Sequence, residues 1–249
     1  MMRLPRGIAV AATALVLATP PVLSAYADDA IPIGVLLPFT GSMSHDGEKA
    51  MRGMKLALEE VNAISGRKFT LVAEDDESTP QGGMDGIHKL VDVDKVAVVL
   101  GTLTSSDTIP TAKYAISMGV PQIGVTATSP DIRTIGKGFF SVVASDEVLG
   151  QAVANFAMED SGKKRAAILV SNEPYGVGIG NQMRKAVEKA GGEVVSEVRY
   201  ELGKQDYRAE LARLFGPKPD IILTVSWAET ARLLTKQSYE LGYLKDLSG

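Results

Sequence analysis

Two loops of this sequence concentrate hydroxyl groups, each directly after a short apolar segment. Residues 101–107 have the sequence GTLTSSD, and residues 126–130 have the sequence TATSP. Backbone N–H groups at the start of a helix attract an anion, and serine or threonine hydroxyls add further donors there. A carboxylate on a small ligand fits such a site, although serine and threonine are also ordinary N-caps of helices. The occurrence of two such loops favours a binding site.

Catalytic chemistry has little support in the sequence. Histidine, the most frequent acid–base residue, occurs only as His45 and His88, and cysteine is absent. His88 is predicted to be a solvated surface residue, and His45 has no serine nucleophile at a strained turn beside it. The sequence contains no G-x-S-x-G, H-E-x-x-H or P-loop motif. We therefore predict that the protein is not an enzyme and uses no cofactor or metal.

Two further motifs mimic ligand sites. The acidic run at residues 74–77 could bind a cation, but the spacing of a calcium loop is missing, so a solvated loop is the preferred interpretation. Gly176, Gly178 and Gly180 resemble a dinucleotide fingerprint, but the third glycine comes one residue early. Neither motif predicts a bound cofactor.

The N-terminus has the three parts of a secretory signal peptide. Arg3 and Arg6 precede an uncharged apolar run at residues 7–18, and small residues at positions 25 and 27 precede an acidic stretch. This pattern predicts export to the periplasm with cleavage after Ala27. The alternative, a membrane anchor, needs an apolar run of roughly 20 residues.

Composition limits the partners and the sources of stability. The formal charge is −4, and loss of Arg3 and Arg6 with no acid gives −6 for the mature chain. An acidic chain lacks the basic patches that nucleic acids and anionic membranes require, so neither is an expected partner. The absence of cysteine excludes disulfides and a lipid anchor on cysteine. Stability must come from core burial, for which the mature chain is long enough.

The mature chain alternates between short apolar runs and segments of helical periodicity. The predicted strands are residues 31–38, 69–73, 96–100, 121–125, 139–143, 165–170, 193–200 and 221–225. The predicted helices are residues 48–64, 81–91, 105–118, 146–159, 175–190, 207–215 and 228–241. This order predicts an α/β fold with parallel sheets covered by helices on both faces, and a domain boundary near residues 141–146. Ligands bind such sheets at the carboxyl ends of strands, where both hydroxyl loops lie.

Two aspartates stand near predicted helix starts. Asp146 is predicted to be the N-cap of the helix at residues 146–159. Asp46 precedes the helix at residues 48–64, where it either caps that helix or meets a ligand ammonium group. The cap is the preferred interpretation.

Together these residues resemble a known family. They are similar to the periplasmic binding proteins for leucine, isoleucine and valine and their relatives for amides and aromatic acids, which are type I solute-binding components of ABC importers. The resembling features, whose order and spacing are specific, are residues 33–41 with Gly47, the helix 54–62, residues 74–76 with Pro80, Gly101 with residues 104–106, Pro121 with residues 127–130, and Tyr175 with Gly176. The resemblance implies two Rossmann-like lobes that close on a ligand.

The resemblance also implies a set of binding residues. In the family, a serine after the third strand and a threonine after the fourth hold the ligand's carboxylate and ammonium groups. These correspond to Ser105 and Thr128, with the backbone at Thr126 contributing and Ala127 in the same loop. Two second-lobe aromatics that could close over the ligand correspond to Tyr175 and Trp227. The alternatives are helix-start packing for Tyr175 and core packing for Trp227.

The sequence departs from the family pattern at two points. Asp46 stands where branched-chain binders have a tyrosine, which weakens the expectation of branched-chain specificity. The chain also ends at Gly249, short of a full family member, so we expect a C-terminal truncation. The expected domains are then a first lobe at residues 28–143 and an incomplete second lobe at residues 144–249.

The resemblance implies capture of a small carboxylate-bearing ligand, an amino acid or a relative, for an ABC importer. The expected protein is a periplasmic monomer whose partners are that ligand and a membrane permease. One alternative is a ligand-sensing receptor domain of the same fold. A secreted enzyme is a second alternative, and it would need a catalytic constellation that the two histidines do not provide.

Overall fold

The computed structural model describes residues 30–160 and 162–244. The predicted signal peptide at residues 1–27 lies outside the described residues. Within the described ranges, no helix has both the length and the apolar character needed to cross a membrane. Strands and helices alternate along the chain and form two sheets.

The first sheet contains five strands in the order β2-β1-β3-β4-β5. Its elements in chain order are β1 Ile31–Leu37, α1 Ser44–Ile64, β2 Phe69–Asp75, α2 Pro80–His88, β3 Val98–Gly101, α3 Ser105–Ser117, β4 Gln122–Gly124 and β5 Phe139–Ser141. A π-helical turn continues α2, and a 3-10 turn at Pro130–Thr134 follows β4. All described pairs in this sheet are parallel, so the carboxyl ends of its strands meet at one edge.

The second sheet contains three parallel strands in the order β7-β6-β8. Its elements in chain order are α4 Asp146–Asn155, β6 Arg165–Ser171, α5 Pro174–Lys189, β7 Glu193–Tyr200, α6 Arg208–Phe215, β8 Ile221–Thr224 and α7 Ala228–Glu240. A π-helical turn at Phe156–Asp160 continues α4. Every predicted strand and helix overlaps an observed one, and the predicted α/β fold with parallel sheets is confirmed.

The interior strand β1, which lies between β2 and β3, shows why the sheet needs helices on both faces. Val35, Leu36 and Leu37 are fully buried, and successive side chains of a strand point to opposite faces. Leu36 belongs to the apolar cluster that includes Ile87 of α2. Val35 and Leu37 belong to a different cluster, against which Met51 of α1 packs. The apolar run of β1 therefore contributes side chains to two separate apolar clusters, one on each face of the sheet.

Helix α1 begins four residues before its predicted start. It starts at Ser44, so Asp46 lies in its first turn and does not cap it. The Asp46 carboxylate instead pairs with Lys49 at 3.2 Å, and the Asp46 side chain is 58% exposed. The N-cap interpretation of Asp46 is wrong, because residues 44–47 are already helical.

Candidate ligand-binding site

Two hydroxyl side chains between the end of β3 and the start of α3 make hydrogen bonds to the protein backbone. Thr104 caps the helix, because its Oγ1 accepts a hydrogen bond from the backbone N–H of Asp107 at 3.2 Å. Ser105, the first residue of α3, is 1% exposed. Its Oγ accepts a hydrogen bond from the backbone N–H of Ser129 at 3.2 Å. Ser105 therefore joins the two hydroxyl loops, and its own proton is not used in that bond.

The loop after β4 uses its side chains in three different ways. The Thr126 hydroxyl donates to the carbonyl oxygen of Leu103 at 2.6 Å, so it fastens this loop to the preceding one. Ala127 is buried in a small apolar cluster that includes Ile132. The Thr128 hydroxyl donates to Oδ2 of Asp146 at 2.9 Å. Of these residues, Thr128 alone directs its side chain to a charged group.

Asp146 is the first residue of α4, and its neighbour Ser145 is the N-cap. The Ser145 Oγ accepts a hydrogen bond from the backbone N–H of Glu147 at 3.3 Å, so the predicted cap is wrong by one residue. The Asp146 side chain turns instead towards the loop after β4, and its backbone N–H donates to the carbonyl of Thr128 at 2.9 Å. Asp146 and Thr128 are thus held together by two hydrogen bonds.

The Asp146 carboxylate is buried and only half satisfied. The residue is 1% exposed, and among the described residues nothing donates to its Oδ1 atom. Burial raises the pKa of Asp146 to about 6, the hydrogen bond from Thr128 opposes that rise, and the charge of Glu173 adds to it. A buried carboxylate with a free oxygen is costly unless a donor reaches it.

Glu173 lies at the junction of the two sheets, and the sequence analysis missed it. Its carboxylate caps α5 by accepting from the backbone N–H groups of Tyr175 at 2.8 Å and Gly176 at 2.9 Å. It also accepts from Ser171 Oγ at 2.6 Å and, more weakly, from Ser106 Oγ of α3 at 3.4 Å. The signal in the sequence is an acid placed directly before Pro174, because proline favours the first position of a helix and acids favour the cap.

The two predicted aromatic residues are in contact. The ring centroids of Tyr175 and Trp227 are 5.5 Å apart, with the planes tilted by 50°. Burial raises the pKa of Tyr175, and the charges of Asp146 and Glu173 raise it further. Both aromatic residues are partly buried, as expected for rings that keep one face accessible.

The structure brings six of the seven predicted site residues into one region. Ser105 contacts the backbone of Ser129, whose hydroxyl donates to the carbonyl of Pro174 at 2.9 Å, next to Tyr175. The residues of this region are Ser105, Thr126, Ala127, Thr128, Tyr175 and Trp227. Asp46 is the exception, because the contacts described for it include none of these six.

The glycines of α5 serve packing. A Cβ atom on Gly176 would lie 2.3 Å from the carbonyl oxygen of Ser171, and one on Gly178 would lie 2.7 Å from Cδ of Pro130. Glycine at these positions lets α5 approach both its own strand and the loop after β4. This close approach explains the glycine run, so the run gives no support to a dinucleotide site.

The acidic run at residues 74–77 is not the predicted solvated loop. Asp75 accepts hydrogen bonds from the backbone N–H groups of Phe39 and Thr40 at 2.8 and 3.2 Å, and from the Thr40 hydroxyl at 2.7 Å. Asp76 is 1% exposed, and burial raises its pKa to about 7. The Asp75 carboxylate therefore fastens the loop after β1 to the end of β2. Within the described residues, no group of three potential ligands is arranged to hold a metal ion.

A hollow of about 250 Å³ lies beside Thr128. Its lining combines hydroxyl groups, apolar side chains and one base, Arg133. That base is already paired with Glu147 at 2.6 Å. Thr128 is therefore surrounded by hydroxyl groups, by the carboxylate of Asp146 and by an arginine whose charge is paired.

Comparison with known proteins gives consistent matches. A family model described as "Periplasmic binding protein" matches residues 30–247. An amino acid binding protein of Pseudomonas aeruginosa is 30% identical over 88% of this chain and 60% of its own length. The leucine binding protein LivK of Thermotoga maritima superposes with a TM-score of 0.79 at 27% identity, covering 86% of this chain and 61% of that one.

A third match is a solute binding protein of an ABC transporter from R. palustris, solved in complex with benzoate. It superposes with a TM-score of 0.76 at 25% identity, covering 86% of this chain and 60% of that one. The chain spans about 60% of the length of the curated relatives it matches.

Proposed function

Because this chain belongs to the periplasmic binding protein family, we propose that it captures a small carboxylate-bearing ligand, an amino acid or a relative, for an ABC importer. The ligand would lie between the loops of the first sheet and the aromatic pair of the second. Export through the predicted signal peptide would deliver the protein to the periplasm. The ligand-loaded protein would then dock, as a monomer, on a membrane permease.

One observation supports this proposal above the others. Ser129, which follows Thr128 in the loop after β4, donates its backbone N–H to Ser105 and its hydroxyl to the carbonyl of Pro174, the residue before Tyr175 in the second half. Parallel sheets of this kind bind ligands at the carboxyl ends of their strands, and the Ser105 and Thr128 hydroxyls lie there. A ligand placed between these hydroxyls and Tyr175 would touch both halves of the molecule, so its binding energy could draw the halves together.

The proposed division of roles follows from the available donors. The Ser105 hydroxyl keeps a proton that it can donate to a ligand carboxylate, and the start of α3 adds backbone N–H groups. The Tyr175 and Trp227 rings would cover the apolar part of the ligand. The named relatives include an amino acid binding protein and a protein solved with benzoate, and these two ligand classes share a carboxylate.

The first test is a titration that follows the emission of Trp227, the single tryptophan of the chain. The ligands are amino acids, small amides and aromatic acids. A saturable change with one ligand class is expected, because a ligand beside the Tyr175–Trp227 contact changes the surroundings of the indole ring. A folded chain that gives no response, in emission or in calorimetry, contradicts the proposal.

Alanine variants test the proposed contacts. Ser105→Ala and Thr128→Ala should each weaken binding by about tenfold or more, because a hydrogen bond to a charged group contributes roughly 1.5–3 kcal/mol. Thr134→Ala is the matched control, because the Thr134 hydroxyl is exposed and donates to the carbonyl of Asp131. Unchanged affinity in both site variants would remove Ser105 and Thr128 from the site.

A further inference from the structure

The hydroxyl of Tyr200 reaches across the carboxyl edge of the second sheet. Tyr200 ends β7, and its register partner on β6 is Ser171. Its Oη atom donates to Ser226 Oγ at 2.8 Å and lies 3.3 Å from the carbonyl oxygen of Val225, both in the segment after β8. Because the strand order is β7-β6-β8, this one side chain connects the two outer strands across the middle one.

The position of Trp227 depends on the same segment. Trp227 directly follows Ser226 and stands at the start of α7, which no described side chain caps. The Ser226 hydroxyl, which accepts from Tyr200, donates to the carbonyl of Trp227 at 3.4 Å. Strand β8 itself is fastened separately, since the Thr224 hydroxyl donates to the carbonyl of Leu169 at 2.7 Å. A chain of two hydrogen bonds therefore leads from Tyr200 to the backbone of Trp227.

Tyr200 also adjoins the segment that carries Tyr175. Burial raises the pKa of Tyr200, and hydrogen bonding with Ser226 and Ser171 opposes that rise. The Ser171 hydroxyl donates to Glu173 at 2.6 Å, and Glu173 accepts from the backbone N–H of Tyr175 at 2.8 Å. Tyr200 thus stands between the segments that carry the two aromatic rings, whose centroids are 5.5 Å apart.

Packing alone does not account for the Tyr200 hydroxyl. Tyr200 is fully buried in the apolar cluster that also contains Tyr207, and the two rings meet edge to face at 5.5 Å. A phenylalanine would fill the same space without a polar group to be buried. The hydroxyl is stabilising only through its hydrogen bonds, so what it adds is the position of the segment after β8.

We propose that Tyr200 is a positioning residue of the ligand site: its hydroxyl holds the segment after β8 so that Trp227 lies against Tyr175 before a ligand enters. Because Tyr200 is buried, it acts through Trp227 and not on the ligand. A ring that is already in place loses less conformational freedom when a ligand binds, which strengthens binding. The inference rests on the proposed function, because Trp227 belongs to the proposed site.

The test is Tyr200→Phe, which removes the hydroxyl and keeps the ring. Trp227 is the single tryptophan, so emission excited selectively from tryptophan reports on this ring. Without ligand, the variant should show lower emission anisotropy and stronger quenching by acrylamide than the parent, because the indole ring is less restrained. Its affinity for leucine or benzoate, whichever the parent binds, should fall by about fivefold, the effect of one neutral hydrogen bond.

Tyr207→Phe is the matched control. Tyr207 is equally buried in the same cluster, but its hydroxyl donates to the carbonyl of Glu201 at 3.2 Å. Both tyrosine variants should lose a similar amount of stability in urea, whereas Tyr207→Phe should keep the anisotropy, the quenching and the affinity of the parent.

A second variant removes the other partner of the hydrogen bond. Ser226→Ala deletes the acceptor and should reproduce the effects of Tyr200→Phe on anisotropy, quenching and affinity. In the double variant the effects should not add, because both changes act on one hydrogen bond. Ser226→Ala also provides the test if Tyr200→Phe does not fold.

The outcomes distinguish this inference from the proposed function. If the parent binds leucine or benzoate, and Tyr200→Phe and Ser226→Ala keep its anisotropy and affinity, the inference is overturned and the proposed function is supported. Equal changes in Tyr200→Phe and Tyr207→Phe also overturn the inference, because they indicate a purely structural role. A folded parent that binds neither probe contradicts both.

Discussion

Asp76 shows how one buried carboxyl group can make stability depend on pH. It is 1% exposed, its Oδ2 atom has no donor among the described residues, and burial raises its pKa to about 7. The folded chain therefore holds this proton more tightly than the unfolded chain, whose aspartates titrate near pH 4. As the pH rises from about 4 to about 7, the unfolded chain releases the proton first, and the contribution of Asp76 to the free energy of unfolding falls.

The corresponding prediction concerns Asp76→Asn. Asparagine keeps an oxygen that can accept the hydrogen bond from the backbone N–H of Ser78, but it carries no charge to be buried. The variant should be more stable than the parent at pH 8 by about 2 kcal/mol, and it should lose the decline between pH 4 and 7. Urea denaturation at several pH values measures both effects.

The control for this prediction is Asp85→Asn, which changes an exposed carboxylate on α2. Its stability profile should follow that of the parent across the same pH range. If Asp76→Asn follows the parent in the same way, Asp76 ionises in the folded protein as an ordinary aspartate does, and the prediction fails.

At the residue scale, the pattern of the sequence located the two hydroxyl loops at strand ends, and the structure brings these loops into contact. The choice of Ser105 and Thr128 within the loops came from the family resemblance, and their role as ligand contacts stays a prediction. The sequence assigned the N-cap of α4 to Asp146, whereas the N-cap is its neighbour Ser145. The two residues are adjacent at the start of the helix, and only the direction of their side chains shows which one caps it. Glu173 was missed because its partner Ser106 lies 67 residues away in the chain.

At the scale of the element, Gly47 sets the approach of α1 to β1. A Cβ atom on Gly47 would lie 1.9 Å from the carbonyl oxygen of Pro38, which is backbone and cannot move aside cheaply. Gly47→Ala should therefore destabilise the fold by roughly 1–3 kcal/mol. Gly53 lies in the same helix with nothing within 4 Å of its Cβ position, and Gly53→Ala should stabilise by up to about 1 kcal/mol.

The pair is measured by urea denaturation of each variant against the parent. Both changes add one methyl group to the same helix, so the difference between them reports mainly the contact with Pro38. Similar effects of the two substitutions would mean that α1 does not approach β1 as closely as the structure indicates.

The elements themselves were largely predictable, and the irregular turns were not. Apolar runs such as residues 165–170 indicate a buried strand, and β6 extends to Ser171. The π-helical turns at Lys89–Val93 and Phe156–Asp160 were not predicted, because a helical pattern of apolar residues does not separate such a turn from the α-helix that it continues. The burial of Asp76 has the same origin, since it follows from packing between α2 and β2 rather than from residue type.

At the scale of the whole molecule, the described side-chain contacts between the two halves include the Thr128–Asp146 hydrogen bond, the Arg133–Glu147 ion pair and two hydrogen bonds from serine hydroxyls. The Ser129 hydroxyl donates to the carbonyl of Pro174 at 2.9 Å, and the Ser106 hydroxyl donates to Glu173 at 3.4 Å. A typical hydrogen bond contributes about 1 kcal/mol net, so the two serine hydrogen bonds together contribute about 2 kcal/mol of the free energy that favours this arrangement. Removing these two hydrogen bonds should therefore shift the balance between this arrangement and a more open one.

The double variant Ser106→Ala, Ser129→Ala should therefore open the molecule in the absence of ligand. Small-angle X-ray scattering should give a larger radius of gyration than for the parent, and saturating ligand should reduce the difference. Ser117→Ala is the control, because the Ser117 hydroxyl donates to the carbonyl of Tyr114 within its own helix. An unchanged radius in the double variant would show that other contacts hold the two halves.

The parallel arrangement of β1 has a consequence for synthesis on the ribosome. Ile33 pairs with Leu71 on one side and with Val98 on the other, and Val98 lies 98 − 33 = 65 residues further along the chain. At a synthesis rate of roughly 5–20 residues per second, β1 waits about 3–13 s for its second neighbouring strand to be synthesised. During that interval a chaperone can bind the nascent strand, so strand order alone provides a window of seconds before the first sheet can close.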